Sequence, residues 1–94
     1  MDGAPEPSLR LRDRGLQWRV LQDETIVLDL EGSRYLAINE TGTLLWPLLV
    51  AGATRAQLVD ALVAGWDVEH GQAARDVDAF CGALDDEGLL VREG

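Results

Sequence analysis

From Leu16 onward apolar and polar positions alternate. Leu16-Gln17-Trp18-Arg19-Val20-Leu21-Gln22 follows a period of two for most of its length, as a strand with one buried face does. Asp23-Glu24 predicts a turn, and Thr25-Ile26-Val27-Leu28-Asp29-Leu30-Glu31 predicts a second strand with Ile26, Leu28 and Leu30 on one face. Gly32-Ser33 reads as a two-residue hairpin loop with glycine first, leading into a third strand, Arg34-Tyr35-Leu36-Ala37-Ile38. With that loop, Leu30 opposes Tyr35, Asp29 opposes Leu36, Leu28 opposes Ala37 and Val27 opposes Ile38. Apolar groups then occupy both faces of the third strand. One set enters the core, and the other needs a helix, a neighbouring chain or a bound peptide to cover it.

Beyond Ile38 the period lengthens towards four. Asn39 is a good N-cap for a helix carrying Leu44, Leu45, Leu48 and Leu49, with Pro47 expected to bend or split it and Gly52 to stop it. Thr54 and Gln57 form a capping-box pair opening a second helix, whose Leu58, Ala61, Leu62 and Trp66 share a face and whose end is expected at Gly65. A third helix starts between Val68 and Ala73 and carries Ala73, Val77, Phe80, Cys81 and Leu84 along one stripe, with Gly88 as its stop. Leu89-Leu90-Val91 is expected to return as a short extended segment on the core, leaving Arg92, Glu93 and Gly94 free. The residues thus predict an α+β fold, a three-stranded antiparallel sheet followed by three helices (βββααα).

At 94 residues the chain supports one core. Residues 1–8, with two prolines and no periodicity, read as a flexible tail before a single domain over 9–94. No apolar run approaches the roughly 20 residues of a membrane span, and the N-terminus lacks the order of a signal peptide, so no membrane association and a cytoplasmic location are expected. Seventeen acidic against eight basic residues give a net charge of −9, which repels phosphate backbones and argues against nucleic acid as a partner.

Catalytic chemistry finds little to work with. His70 is the only histidine and Cys81 the only cysteine, so no metal-ligand cluster can be assembled and no disulfide can form within the chain. Cys81 lies on an apolar stripe and reads as a reduced core thiol. There is no glycine-rich phosphate loop, and any serine triad would have to use Ser8 or Ser33, one in the tail and one in a turn. The expectation is a binding module with no catalytic residues, no metal and no cofactor.

The segment LDLEGSRYLAINETGTLLWPLL, Leu28 to Leu49, resembles the PqqD-like family, also called RiPP recognition elements. The Gly-x-Arg-Tyr strand, the Asn39-Glu40-Thr41-Gly42 turn into a helix, Trp46, and an Asp-rich helix ending in Gly88-Leu89-Leu90 carry the resemblance, which extends over Leu16 to Val91. Pro47 within the first helix and Trp66 in place of a smaller aromatic depart from it. The resemblance implies a winged helix-turn-helix-like fold. It also implies a leader peptide added as a strand to the third strand, in the groove beside the third helix. The peptide-binding residues implied are Arg34, Tyr35, Leu36, Ala37 and Ile38 opposite Asp76, Val77, Phe80, Cys81 and Leu84. From their charge, Asp76 and Asp85 are expected to meet a basic side chain of the peptide at the rim.

Among members, a free-standing domain of this length most resembles the leader-recognition proteins of lasso-peptide pathways, whose partners are a leader peptidase and a cyclase or other modifying enzyme. The alternative within the family is PqqD proper, the peptide chaperone of quinone-cofactor biosynthesis. Outside it stand a winged-helix DNA-binding regulator and a dimeric structural subunit. The resemblance favours a monomer when free, because a dimer through the third strand would occupy the edge that takes the peptide.

Overall fold

The computed structural model describes residues 7–93. Their order is β1 (Ser8–Leu11), β2 (Leu16–Leu21), β3 (Glu24–Asp29), β4 (Arg34–Ile38), α1 (Glu40–Ala51), β5 (Ala53–Thr54), α2 (Arg55–Trp66), α3 (His70–Asp86) and β6 (Leu90–Glu93). The expected antiparallel sheet of three strands followed by three helices is present as β2-β3-β4 and α1 to α3. A second small antiparallel sheet, β5-β1-β6, joins the two ends of the chain to the α1–α2 connection. Its β6 agrees with the extended segment expected at Leu89-Leu90-Val91, whereas β1, β5 and the pairing among the three carry no sequence signal, because strands of two and four residues are too short to display a period.

That sheet corrects two boundaries. Ser8, expected in the tail, opens β1 opposite Thr54 and Glu93, and Arg92 and Glu93, expected to be free, pair with Leu9 and Ser8. The remainder of the expected tail, residues 1–6, and Gly94 lie outside the described residues.

The hairpin register is also corrected. Asp29 opposes Arg34, Leu28 opposes Tyr35 and Val27 opposes Leu36, so residues 30–33 form a four-residue turn in place of the two-residue loop. The cause is Asp29, whose buried carboxylate accepts the Gly32 N–H at 3.1 Å and the Arg12 guanidinium at 2.5 Å and so ends the strand early. A shift of two keeps every side chain on its own face. Val27 and Ile38 are buried on the inner face, whereas Leu28 and Tyr35 are exposed on the outer one. The preceding turn sits at Gln22-Asp23, one residue before its expected place, because Leu21 pairs with Glu24. β2 is the outer edge of this sheet, and only Leu16 of its residues escapes full exposure. Its Trp18 still meets buried Trp46 edge to face at 5.8 Å.

The helix ends follow side-chain chemistry. Asn39 Oδ1 accepts the Gly42 N–H at 3.0 Å. Thr54 and Gln57 exchange both capping-box bonds, at 2.9 and 3.1 Å. α3 ends in a Schellman arrangement: Gly88 has φ +75°, Leu89 N–H donates to Leu84 O at 3.0 Å and Gly88 N–H to Asp85 O at 3.0 Å. Pro47 does not split α1, which continues to Ala51. α2 runs one residue past Gly65 to Trp66, with Asp67 in the left-handed cap conformation. Gly65 lets α2 approach α1 closely, since a Cβ there would come within 2.8 Å of Leu44 Cδ2 and displace the end of that side chain. The three helices close over Leu45, Trp46, Leu49, Leu58, Leu62 and Val77, all almost fully buried.

The Gly32 N–H and then the Arg12 guanidinium hold the Asp29 carboxyl below its ordinary 3.8. A carboxylate whose folded pKa is depressed contributes stability that is fully present above the unfolded value and is lost as pH falls through the folded one. Asp29→Asn is therefore expected to lower the thermal midpoint at neutral pH, with the gap to wild type narrowing once pH drops below 3.8. A gap that stays constant through acid titration of both proteins would show that the ionised carboxylate contributes nothing.

Candidate functional site

Within its sheet β4 pairs only with β3, so its other edge is open, and that edge faces α3. Between them lies a groove of about 470 Å³. Leu36, Ala37 and Ile38 line it from β4, and Asp76, Ala79, Phe80, Ala83 and Leu84 from α3. Asn39 and Thr41 close one end at the start of α1, and Glu87 stands at the other. A strand edge offers unpaired N–H and C=O groups, and an apolar wall beside it offers burial for alternate side chains. Together they can hold an extended peptide.

Two close contacts fix the Asn39 end. Thr25 Oγ1 and Thr43 Oγ1 lie 2.9 Å apart in a hydrogen bond that ties the first turn of α1 to β3. Gly42 then brings α1 against the groove floor: a Cβ at this position would touch Ile38 Cγ2 and come within 2.6 Å of the Phe80 ring. At the opposite end Arg34 and Glu87 form an ion pair at 2.7 Å that spans from the start of β4 to the end of α3. Asp76 accepts a hydrogen bond from the Gln72 side chain at 2.8 Å.

Of the site residues expected from the sequence, Leu36, Ala37, Ile38, Asp76, Phe80 and Leu84 come together in the groove. Arg34 caps its end, and Tyr35 points to the outer face of the sheet, 69% exposed. Val77 and Cys81 do not line the groove: Val77 is fully buried, Cys81 nearly so, and both turn towards a smaller depression with Leu9 and Arg92 on the other side of α3. They were grouped with Phe80 because an apolar stripe marks the face of a helix that meets the core, and the groove lies on the adjacent face. Asp85 is likewise displaced, pairing with Arg92 at 3.2 Å outside the groove. Asn39, Thr41, Ala79, Ala83 and Glu87 were not foreseen. The i, i+3, i+4 spacing through Asp76, Ala79, Phe80 and Ala83 was legible, but small and charged residues carry no apolar signal.

Burial, with the nearby negative charge of Asp78, pushes the Cys81 thiol above its ordinary value, the reverse of what a nucleophilic thiolate requires. Arg55 meanwhile holds Asp78 below the usual carboxylate range through a paired contact at 2.7 and 2.9 Å. Among the described residues no three of His, Cys, Asp and Glu gather as a metal site, and no helix is long and apolar enough to cross a membrane.

Residues 24–90 match the family described as coenzyme PQQ synthesis protein D, PqqD. Two solved structures share the fold. One, described as TbiB1 in complex with the TbiA(beta) leader peptide, superposes with a TM-score of 0.78 at 28% identity, over 86% of this chain and 93% of that one. The other, a lasso peptide synthetase B1 complexed with the leader peptide, gives 0.76 at 25% identity, over 88% and 96%. No curated protein matches this chain.

Gly42→Ala tests the close approach at the groove floor. Alanine improves helix propensity by about 1 kcal/mol, whereas displacing Ile38 and Phe80 costs about 1–3 kcal/mol. A net loss of roughly 1 kcal/mol in denaturant unfolding is expected, and a gain would mean that the two side chains yield freely. Cys81 is expected to react with an aromatic disulfide reagent only as fast as the fold opens. Labelling of the native protein at the rate of the denatured chain would contradict its burial.

Proposed function

Since this chain belongs to the PqqD family, we propose that it is a non-catalytic adaptor that binds the leader segment of a ribosomally made precursor peptide and delivers it to a leader peptidase or modifying enzyme. The observation that carries this reading is the open edge of β4 facing an apolar groove beside α3. Backbone pairing to β4 supplies affinity with little demand on sequence, and Ile38, Phe80 and Leu84 supply an apolar floor for alternate side chains. Both solved relatives are complexes with leader peptides, which favours a lasso-peptide precursor as the ligand. The family description favours a second pathway, in which the same groove holds the precursor of a quinone cofactor.

Charge separates this function from DNA reading. α3 carries Asp76, Asp78, Asp85 and Asp86 against Arg75 alone among lysines and arginines, so a helix laid in the major groove would bring the wrong sign to phosphate. A dimer through β4 would compete for the same edge as the peptide.

Calorimetric titration with leader peptides of lasso-peptide and quinone-cofactor precursors tests the proposal, alongside Ala83→Trp. Ala83 is an exposed residue on the groove rim, so an indole there obstructs the groove while leaving the core alone. Micromolar or tighter binding is expected, weakened about tenfold or more in the variant, with both proteins melting alike. A folded, monomeric wild type that binds no leader from either pathway would refute the adaptor reading, and a β4-mediated dimer in sedimentation would replace it.

A further inference from the structure

The groove is lined by two carboxylates with different circumstances. Glu87 already has its cation, Arg34, at 2.7 Å. Asp76 is half-buried, and its hydrogen-bond partner is the neutral Gln72 amide at 2.8 Å. The adjacent cation, Arg75, is engaged with Gln72 Oε1 at 3.1 Å, and among the described residues no ion pair reaches Asp76. A groove carboxylate that is partly withdrawn from water and lacks a cation is a place for a cation to come from the ligand.

The spacing says where on the ligand. Arg34 meets Glu87 at one end and Ile38 lies with Phe80 against Gly42 nearer the other, so α3 runs opposite to β4 along the groove. Asp76, Phe80 and Leu84 recur every four residues, about 6 Å apart along the helix. Side chains on one face of a strand recur about every 6.6 Å. Three successive inward-facing side chains of a strand added to β4 therefore meet Leu84, Phe80 and Asp76 in turn. Ala79 and Ala83 leave room along the rim at the first two positions.

Resting on the peptide-binding reading above, we propose that Asp76 is a specificity-determining residue that receives a lysine or arginine of the bound peptide, two residues beyond a pair of alternate apolar side chains seated at Phe80 and Leu84. β2-β3-β4 is antiparallel throughout, and continuing that order puts the basic residue on the N-terminal side of the apolar pair. The peptide class so defined reads basic-x-apolar-x-apolar.

The test is a double-mutant cycle on the full chain. Calorimetric titrations use the leader peptide that binds most tightly among those of lasso-peptide and quinone-cofactor precursors, with each lysine or arginine replaced in turn by glutamine, against wild type and Asp76→Asn. Asparagine keeps an acceptor oxygen for Gln72, so the melting curve should not move. One basic residue, spaced as above from the apolar pair, is expected to matter about two- to fivefold in wild type, to matter not at all in Asp76→Asn, and to lose its effect at high salt. Tight leader binding that Asp76→Asn leaves unchanged, or coupling to a basic residue elsewhere in the leader, would overturn the assignment while leaving the adaptor reading intact. Absence of leader binding by wild type would overturn both.

Discussion

The contact between Arg12 and Asp29 sets the geometry on which the groove depends. Arg12 follows β1, and its backbone N–H donates to Leu89 O at 2.8 Å, which fixes it beside the end of α3. Its guanidinium then reaches three ways: to Asp29 at the end of β3, to Gly88 O at 3.1 Å in the α3 cap, and to Arg14 O at 2.9 Å. One side chain thereby joins both sheets to the C-terminus of α3. A carboxylate left buried without partners would be costly, and here the Gly32 N–H and the guanidinium satisfy it. Gly32 is glycine for the same reason, since a Cβ there would stand 2.7 Å from Asp29 Oδ2. The turn that Asp29 organises delivers Arg34 to Glu87, so the separation of β4 from α3 at this end follows from a contact that is not itself part of the groove.

The other end is fixed independently by Asn39, the Thr25–Thr43 hydrogen bond and the close approach at Gly42. With both ends set, the open strand edge and its apolar wall stand side by side in the fold. In the proposed complex a groove held at both ends would leave the ligand as the main source of ordering entropy, which limits the loss on binding. An open edge is also an aggregation hazard in a small protein. A net charge of −9 opposes self-association, and the ion pair between Arg34 and Glu87 blunts the edge where it begins.

Period and capping chemistry carried most of the fold. Asn39, the Thr54–Gln57 pair and Gly88 lie where sequence rules put them, because each acts through the few residues beside it. What escaped is long-range. β1 and β6 pair across the length of the chain, as Ser8 with Glu93, and nothing in either four-residue segment announces the other. The hairpin register failed because it is decided by Arg12, seventeen residues before Asp29, and not by the glycine in the loop. The site was half legible. Leu36 to Ile38 and Phe80 line the groove, whereas Val77 and Cys81 belong to the core: apolar periodicity reports burial, and a groove open to solvent is lined partly by residues that are not buried.

That last difference explains how the work is divided along α3. Ala73, Val77 and Cys81 face the core and hold the helix in place, and Leu84, also buried, forms part of the groove floor. Asp76, Ala79, Phe80 and Ala83 face the groove. Backbone pairing along β4 is indifferent to the identity of the peptide, so discrimination falls on the few side chains opposite it. Alanines at two rim positions admit large groups without selecting among them, and the apolar floor ranks ligands only by size and fit. A charge is the strongest discriminator available to such a surface, because a mismatched partner leaves a partly desolvated carboxylate without compensation. A single acid without a cation of its own, on an otherwise permissive groove, would therefore allow a small domain to prefer one peptide class while relying on the backbone for most of its hold.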